Sequence, residues 1–175
     1  AQPAIMAIQI ALVELWKKHG VVPQGVVGHS IGEVAAAYTS GALTLEQAVQ
    51  VIYHRSRGQH AATGKGKMLA ISVTQEKAEE LIKDVSDVVS IGAVNGPEMI
   101  VLSGDERPLI RISELMEAND IFNKFLRVTV PFHSHHMEPL KDELIGSLLE
   151  LQPQKAKLDL YSTVTGKKED GSHLL

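Results

Sequence analysis

A serine flanked by glycines stands near the start of the 175-residue chain, in the segment GHSIGE at residues 28–33. A short apolar run precedes this segment and a helix-forming run, Val34–Tyr38, follows it. A Gly-x-Ser-x-Gly pattern between a strand and a helix predicts a nucleophile elbow, in which the serine hydroxyl projects from a strained turn. We expect side chains at Gly28 and Gly32 to collide with neighbouring backbone, which explains both glycines. Ser30 is therefore the candidate nucleophile for acyl transfer through a serine ester.

The helix after the serine meets a second requirement of acyl transfer, which is stabilisation of the developing negative charge. The first N–H groups of a helix have no partner within it and point towards the preceding turn. The Ile31 N–H is the first of these groups, and we assign it to the oxyanion site.

A serine hydroxyl needs a general base at neutral pH, most often a histidine, and the chain contains eight. His29 is predicted to point away from Ser30, and four others lie in predicted helices or in the tail: His19, His54, His60 and His173. The remaining cluster, PFHSHH at residues 131–136, supplies our candidate base, His133. These neighbouring imidazoles also raise the alternative of a metal site. The chain has no cysteine and no second cluster with ligand spacing, so we predict no metal.

Arg55 lies in a predicted helix, where an arginine is usually a solvated charge. If it faces the serine, its guanidinium would instead bind a carboxylate on the acyl group through two parallel hydrogen bonds. The residues alone leave both interpretations open.

The composition limits the classes of partner. With a net charge of −4 and no run of basic residues, the sequence predicts neither a basic surface for nucleic acid nor a membrane-binding surface. No apolar run approaches the length of a bilayer span. The absence of cysteine and of a secretory signal leads us to expect a cytoplasmic location.

Hydrophobic periodicity and turn signals predict two regions that differ in their order of helices and strands. The first is predicted to contain helices at 4–19, 32–40, 45–62 and 137–151 and strands at 24–28 and 158–164, with nothing structured after Thr165. Thr44 and Gln47 form a capping box for the third helix. The second is predicted to contain strands at 68–73, 88–94, 99–103 and 122–130 and helices at 75–83 and 106–119. Its order, βαββαβ, is the ferredoxin-like pattern.

Taken together, these residues resemble the malonyl-CoA:acyl carrier protein transacylase family, in particular the acyltransferase domains of polyketide and fatty acid synthases. The resemblance covers nearly the whole chain through the order and spacing of five features: Gln2–Ala4, Gly28–Glu33, Arg55 at 25 residues after the serine, Ala93–Pro97 and Val130–Ser134. It implies an α/β fold, with an α/β-hydrolase-like core at 1–66 and 129–175 and an inserted ferredoxin-like subdomain at 67–128. The resemblance also implies that the core is incomplete at both ends, and that a second oxyanion donor lies in a missing strand.

The resemblance implies a Ser30–His133 dyad that accepts malonyl from coenzyme A and passes it to the phosphopantetheine thiol of an acyl carrier protein. No bound cofactor is implied, and neighbouring synthase domains such as a ketosynthase are further expected partners. Arg55 would bind the malonyl carboxylate, and Gln2 would line the site. Asn95 would lie near it, although a simple turn role before Gly-Pro is equally open.

Phe132 precedes the histidine, where the resemblance associates an aromatic residue with malonyl selection. Its ring would fill the space that an α-methyl group needs. Ile31 agrees, because methylmalonyl enzymes often have glutamine there.

Two other functions stay open from the sequence. One is an ordinary serine esterase, whose third catalytic member would be Asp84, Asp87 or Asp105. The other is a non-catalytic scaffold segment of a multidomain synthase.

Overall fold

The computed structural model describes residues 1–172 as an α/β fold of two compact units. Among the described residues, unit 1 comprises 1–57 and 143–172, and unit 2 comprises 58–142. In chain order the helices and strands are α1 (Gln2–Lys18), β1 (Gly25–Gly28), α2 (Gly32–Ser40), α3 (Leu45–His60), β2 (Lys67–Ile71), α4 (Gln75–Ile82), β3 (Val89–Gly96), β4 (Met99–Gly104), α5 (Glu106–Ala118), β5 (Asn123–Phe125), α6 (Lys141–Leu148), β6 (Asp159–Ser162) and β7 (Lys168–Glu169). Two 3₁₀ helices, Lys83–Val85 and His135–Leu140, complete the set.

The sheet of unit 1 has the order β1-β6-β7, with β1 parallel to β6 and β7 antiparallel to it. The alanine-rich helix α2 is buried along most of its length. It contributes Val34 to a cluster with residues of α1 and α3, and Ala36 and Ala37 to a second cluster with Leu160 of β6. Small side chains let α2 pack closely on both sides, which fixes the helix that follows the serine.

The N-terminal helix forms as its periodicity predicts, but its most regular apolar residues face solvent. Met6 and Ile10 are the buried residues of α1. The predicted stripe is 44–60% exposed: Ile5, Ile8, Leu12, Leu15 and Trp16. Periodicity identified the helix correctly, but not which face packs on the rest of unit 1.

The predicted capping box at the start of α3 is confirmed by reciprocal hydrogen bonds. The Thr44 N–H donates to Gln47 Oε1 at 2.9 Å, and the Gln47 N–H donates to Thr44 Oγ1 at 3.2 Å. Two backbone donors at the start of the helix that carries Arg55 are thereby satisfied.

Unit 2 has the ferredoxin-like arrangement that the sequence predicts. Its antiparallel sheet has the order β3-β4-β2-β5. The core joins the strand residues Leu69, Ile100 and Leu102 to Leu109 and Met116 of α5, all of them almost completely buried. The sheet and its two helices thus form one hydrophobic core.

The segments that flank the predicted subdomain, 58–66 and 129–142, belong to unit 2 by compactness rather than to the larger region. The Gly64 N–H donates to the Thr129 carbonyl at 2.7 Å. A Cβ on Gly66 would lie 3.1 Å from Pro131 Cβ, so the two segments also pack closely. These contacts connect residues far apart in sequence and have no local signal.

Three predictions of secondary structure near the C-terminal half were wrong. The strand expected at 122–130 is limited to β5, because the chain leaves the sheet after the Leu126 N–H bonds the Met68 carbonyl. The helix expected at 137–151 is a 3₁₀ helix containing Pro139, followed by the shorter α6. The tail after Thr165 contains β7, whose two residues give no periodic pattern; residues 173–175, with His173, lie outside the described part. Over residues 1–172, no helix combines the length and apolarity needed to cross a bilayer.

The core of unit 2 gives a stability prediction with a control on the same helix. Leu109 is completely buried, whereas Leu115 is 47% exposed. We expect Leu109→Ala to lower the free energy of unfolding by about 2–5 kcal/mol and Leu115→Ala by less than about 1 kcal/mol. Urea unfolding followed by circular dichroism measures both, and equal losses would contradict the assigned core.

Candidate active site

The turn between β1 and α2 has the strained geometry of a nucleophile elbow. Ser30 has a φ of 52°, in the left-handed region that residues with a Cβ rarely adopt. The strand ends at Gly28 and the helix begins at Gly32, so Ser30 lies at the tip of the reversal. Strain of this kind persists only where the surrounding structure enforces it, and it is concentrated at functional sites.

The two glycines of the motif have different roles. A Cβ on Gly28 would lie 2.1 Å from the carbonyl carbon and oxygen of Gly32 and 2.4 Å from the Glu33 nitrogen, so only glycine fits. A Cβ on Gly32 would meet only Gln9 Nε2, at an ordinary 3.7 Å. The predicted collision is therefore correct for Gly28 and wrong for Gly32. Gly32 is the first residue of α2, and a side chain there has room.

The backbone of the elbow leaves one amide available at its tip. The Gly32, Glu33 and Val34 N–H groups donate to the carbonyls three residues earlier, at 2.9, 3.0 and 3.2 Å. Within residues 1–172 the Ile31 N–H has no such acceptor. The N-terminus of α2 adds a partial positive charge here, which favours a negatively charged oxygen.

Arg55 of α3 faces the serine. One guanidinium nitrogen donates to Gln2 Oε1, and the other lies 3.4 Å from Ser30 Oγ. The side chain is half-buried, and burial lowers the pKa of Arg55 below its ordinary value because desolvation disfavours the charged form. An arginine nevertheless stays protonated in proteins, so a fixed positive charge lies beside the serine. The structure thus brings together Gln2, Ser30 and Arg55 and excludes the solvated interpretation of the arginine.

Glu33 is a site residue that the sequence reasoning quoted but did not use. Its Oε1 accepts from the Thr163 N–H and from Thr163 Oγ1, both at 2.7 Å, and lies 3.4 Å from Ser162 Oγ. Thr163 Oγ1 also lies 3.1 Å from the Gly28 carbonyl. Glu33 therefore ties the elbow to the end of β6. Its partner is 130 residues away, which no local pattern indicates.

The other predicted site residues belong to unit 2. His133 is exposed and has a φ of 60°, one of three positive values among non-glycine residues of the described chain. Phe132 is half-buried, and its N–H donates to the Val130 carbonyl at 3.0 Å. Asn95 is exposed and lies in β3, where its pairing with β4 is irregular, rather than in the turn. Since Ser30 belongs to unit 1, the pairing of Ser30 with His133 is a proposal, taken up below.

A second group of titratable residues lies beside the histidine segment in unit 2. Asp105 Oδ1 is 2.8 Å from His136 Nε2 and 3.4 Å from His135 Nε2. The three ligand-type atoms lie within 4.8 Å of one another, so the group has the residue types of a metal site. His133 is not part of it. Sequence spacing missed this group because Asp105 is about thirty residues away from the histidines.

Comparisons with known proteins identify the family of the chain. The family model described as the acyl transferase domain matches residues 1–175. The chain belongs to this family. A polyketide synthase of Streptomyces halstedii, GfsB, is 41% identical over 174 residues, which are 99% of this chain and 3% of the relative.

Solved structures of the family share the fold. The acyltransferase domain from module 8 of the salinomycin polyketide synthase superposes with a TM-score of 0.96 at 33% identity, over 99% of this chain and 41% of that one. A malonyl-transacylase solved with its type II polyketide synthase acyl-carrier protein superposes with a TM-score of 0.89 at 27% identity, over 97% of this chain and 57% of that one. This chain thus matches about half of these solved chains and a small part of the synthase.

The unequal glycines of the elbow give a direct test of the candidate site. Gly28→Ala forces a shift of the turn, so we expect labelling of Ser30 by a serine-directed phosphonate to fall at least about tenfold. Gly32→Ala is the matched control and should label within about threefold of the unchanged protein. Intact mass gives the labelled fraction, with circular dichroism as the check on folding. Equal labelling of the two variants would contradict the assigned elbow.

Proposed function

We propose that this acyltransferase moves a malonyl group from coenzyme A, through an ester on Ser30, to the phosphopantetheine thiol of an acyl carrier protein. The observation that carries the proposal is the half-buried guanidinium of Arg55, 3.4 Å from the hydroxyl of a strained serine. An ordinary esterase has no use for a fixed positive charge at that distance, whereas a donor with a free carboxylate does.

In the proposed reaction His133 is the general base. It accepts the Ser30 proton as the hydroxyl oxygen attacks the thioester carbonyl, and the Ile31 N–H donates to the resulting oxyanion. Collapse of the tetrahedral intermediate breaks the carbon–sulfur bond, and His133 protonates the departing thiolate of coenzyme A. The carrier thiol then attacks the serine ester, with His133 taking its proton and returning it to Ser30.

Recognition of the donor is assigned to Arg55, Gln2 and Phe132. Gln2 accepts a hydrogen bond from Arg55, which restricts the guanidinium to the orientation that faces the serine. Two parallel hydrogen bonds from the guanidinium would then bind the malonyl carboxylate. Phe132 would exclude an α-methyl group by filling its space, and Asn95 is retained as a residue near the bound donor.

The proposed partners follow from the family. A relative of this fold is a malonyl-transacylase in complex with an acyl-carrier protein, which supports a carrier protein as acceptor. The long synthases among the relatives support neighbouring catalytic domains, such as a ketosynthase, in the parent protein. The chemistry above uses no bound cofactor. A cytoplasmic location stays a prediction.

The nucleophile is tested by the intact mass of the parent acyltransferase after brief exposure to malonyl-, methylmalonyl- and acetyl-CoA. We expect a malonyl adduct that exceeds the methylmalonyl adduct and is absent in Ser30→Ala. Ser86→Ala, at an exposed serine of unit 2, should acylate normally. An adduct that persists in Ser30→Ala would overturn the nucleophile. Absence of any adduct in the folded protein would favour a scaffold function.

The role of Arg55 is tested by donor preference. Arg55→Ala should slow malonyl transfer on the order of a hundredfold, because charge-assisted hydrogen bonds to the carboxylate are lost, and should keep or increase acetyl transfer. Arg57→Ala, at an exposed arginine on the same helix, is the matched control and should leave both rates unchanged. Stopped assays with both donors measure the ratio. Equal losses for the two donors would make Arg55 a structural residue.

A further inference from the structure

The histidine segment, residues 130–137, contains one residue in a strained backbone conformation. This residue is His133, which has a φ of 60° and an exposed side chain. Within the segment, Ser134 Oγ donates to the Pro131 carbonyl at 2.7 Å and the Met137 N–H donates to the Ser134 carbonyl at 2.9 Å. These bonds make the segment a stiff unit. The start of the segment is also anchored by burial, since Val130, Pro131 and Ser134 are buried.

Asp105 attaches the part of the segment that follows His133. Its carboxylate Oδ1 lies 2.8 Å from His136 Nε2 and 3.4 Å from His135 Nε2. The two imidazoles are stacked, with ring centroids 3.9 Å apart and planes inclined by 39°. One carboxylate therefore holds two consecutive residues of the histidine segment, only two and three positions after His133.

The backbone of Asp105 is fixed and its side chain is directed away from the usual role of its position. Asp105 is the N-cap of α5, where an aspartate normally accepts from the first N–H groups of the helix, yet it makes no such bond. Its N–H donates to the Val88 carbonyl at 2.9 Å. Gly104 before it has a φ of 155°, and a Cβ there would lie 2.1 Å from the Val88 oxygen. The Asp105 carboxylate therefore contacts the two histidines instead of capping α5.

The partners of the two imidazoles favour a hydrogen-bonded arrangement over a metal site. His135 Nδ1 is buried and has no partner among the described residues. A metal-bound imidazole usually donates its second N–H to an acceptor, and His135 lacks one. The tautomer that fits carries its hydrogen on Nε2, which lies 3.4 Å from Asp105 Oδ1, and leaves Nδ1 without a hydrogen.

We propose that Asp105 is a positioning residue for the catalytic step: by holding His135 and His136 it fixes the backbone from which His133 presents its imidazole. This inference rests on the proposed role of His133 as general base. Asp105 acts on the orientation of the base and not on the binding of the malonyl donor.

The experiment uses the parent acyltransferase with malonyl-CoA and a holo acyl carrier protein. Asp105→Ala removes the hydrogen bond to His136 and the contact with His135, and we expect kcat to fall at least tenfold with the KM for malonyl-CoA unchanged within twofold. Asp105→Asn retains an acceptor oxygen and should recover kcat to within about threefold. In parallel, His136→Gln keeps an N–H donor, so its kcat should be higher than that of His136→Ala. Asp142→Asn, at an exposed residue of unit 2 with no assigned role, is the control for charge removal.

A double-mutant cycle separates positioning from a general loss of structure. If Asp105 acts through His133, Asp105→Ala should not reduce further the residual acylation rate of His133→Ala. An additional tenfold loss in that background would overturn the proposal. The proposal would also be overturned if Asp105→Ala lowers the unfolding midpoint enough for loss of folded protein to account for the fall in kcat. Equal loss in Asp105→Asn and Asp105→Ala, together with inhibition of the unchanged protein by EDTA, would establish a metal site in place of the hydrogen-bonded arrangement.

The two proposals fail differently. If His133→Ala keeps full acyl transfer, the assignment of the base is wrong, whatever Asp105 does. If His133→Ala abolishes transfer and Asp105→Ala leaves kcat unchanged, the base is correct and the positioning role alone is wrong.

Discussion

The close approach of Gly28 to the first residues of α2 is the constraint on which the candidate site depends. No Cβ fits at that position, since it would lie 2.1 Å from the Gly32 carbonyl. The resulting turn holds Ser30 at a φ of 52° and leaves the Ile31 amide at the tip. Hydroxyl, amide and helix N-terminus therefore share one local geometry, which is the arrangement that an acyl-transfer nucleophile needs.

Long-range polar contacts stabilise that strained turn and place the positive charge of Arg55 beside it. Glu33 connects the elbow to Thr163 after β6, and Arg55 connects it through Gln2 to the start of α1. Buried or half-buried polar groups are costly unless they are paired, so each contact also restrains the element that carries it. The same interactions that maintain the turn thus orient the guanidinium that defines the proposed donor class.

The histidine segment of unit 2 also has a strained backbone at a residue assigned to the chemistry. Both the candidate nucleophile and the candidate base have positive φ values, 52° and 60°, although neither is glycine. At Ser30 the strain is enforced by a neighbouring glycine and a helix. At His133 we attribute the strain to the contact between Asp105 and His136, three residues further along the chain. In each case stability is given up locally at a residue assigned to the chemistry, which is where departures from conformational preference are expected.

The sequence predicted the elements whose signals are local. The Thr44 capping box, the glycine required at position 28 and the βαββαβ order of unit 2 all follow from turn chemistry, sterics and periodicity within a few residues. Family resemblance identified the acyl transferase domain, which the family comparison confirmed. The roles of His133, Phe132 and Asn95 stay predictions.

Tertiary structure decided what depends on partners far along the chain. Which face of α1 is buried, the end of β5 at Phe125, the pairing of β7 and the Glu33–Thr163 contact have no local pattern. Arg55 is the clearest case. Its sequence neighbourhood allowed a solvated charge, the usual case for a helix arginine, or a binding group, and only the packing of α3 placed its guanidinium against Ser30. Local sequence sets the conformation of a turn or helix, but the folded chain sets which side chains meet, because those contacts join residues that no short-range pattern connects.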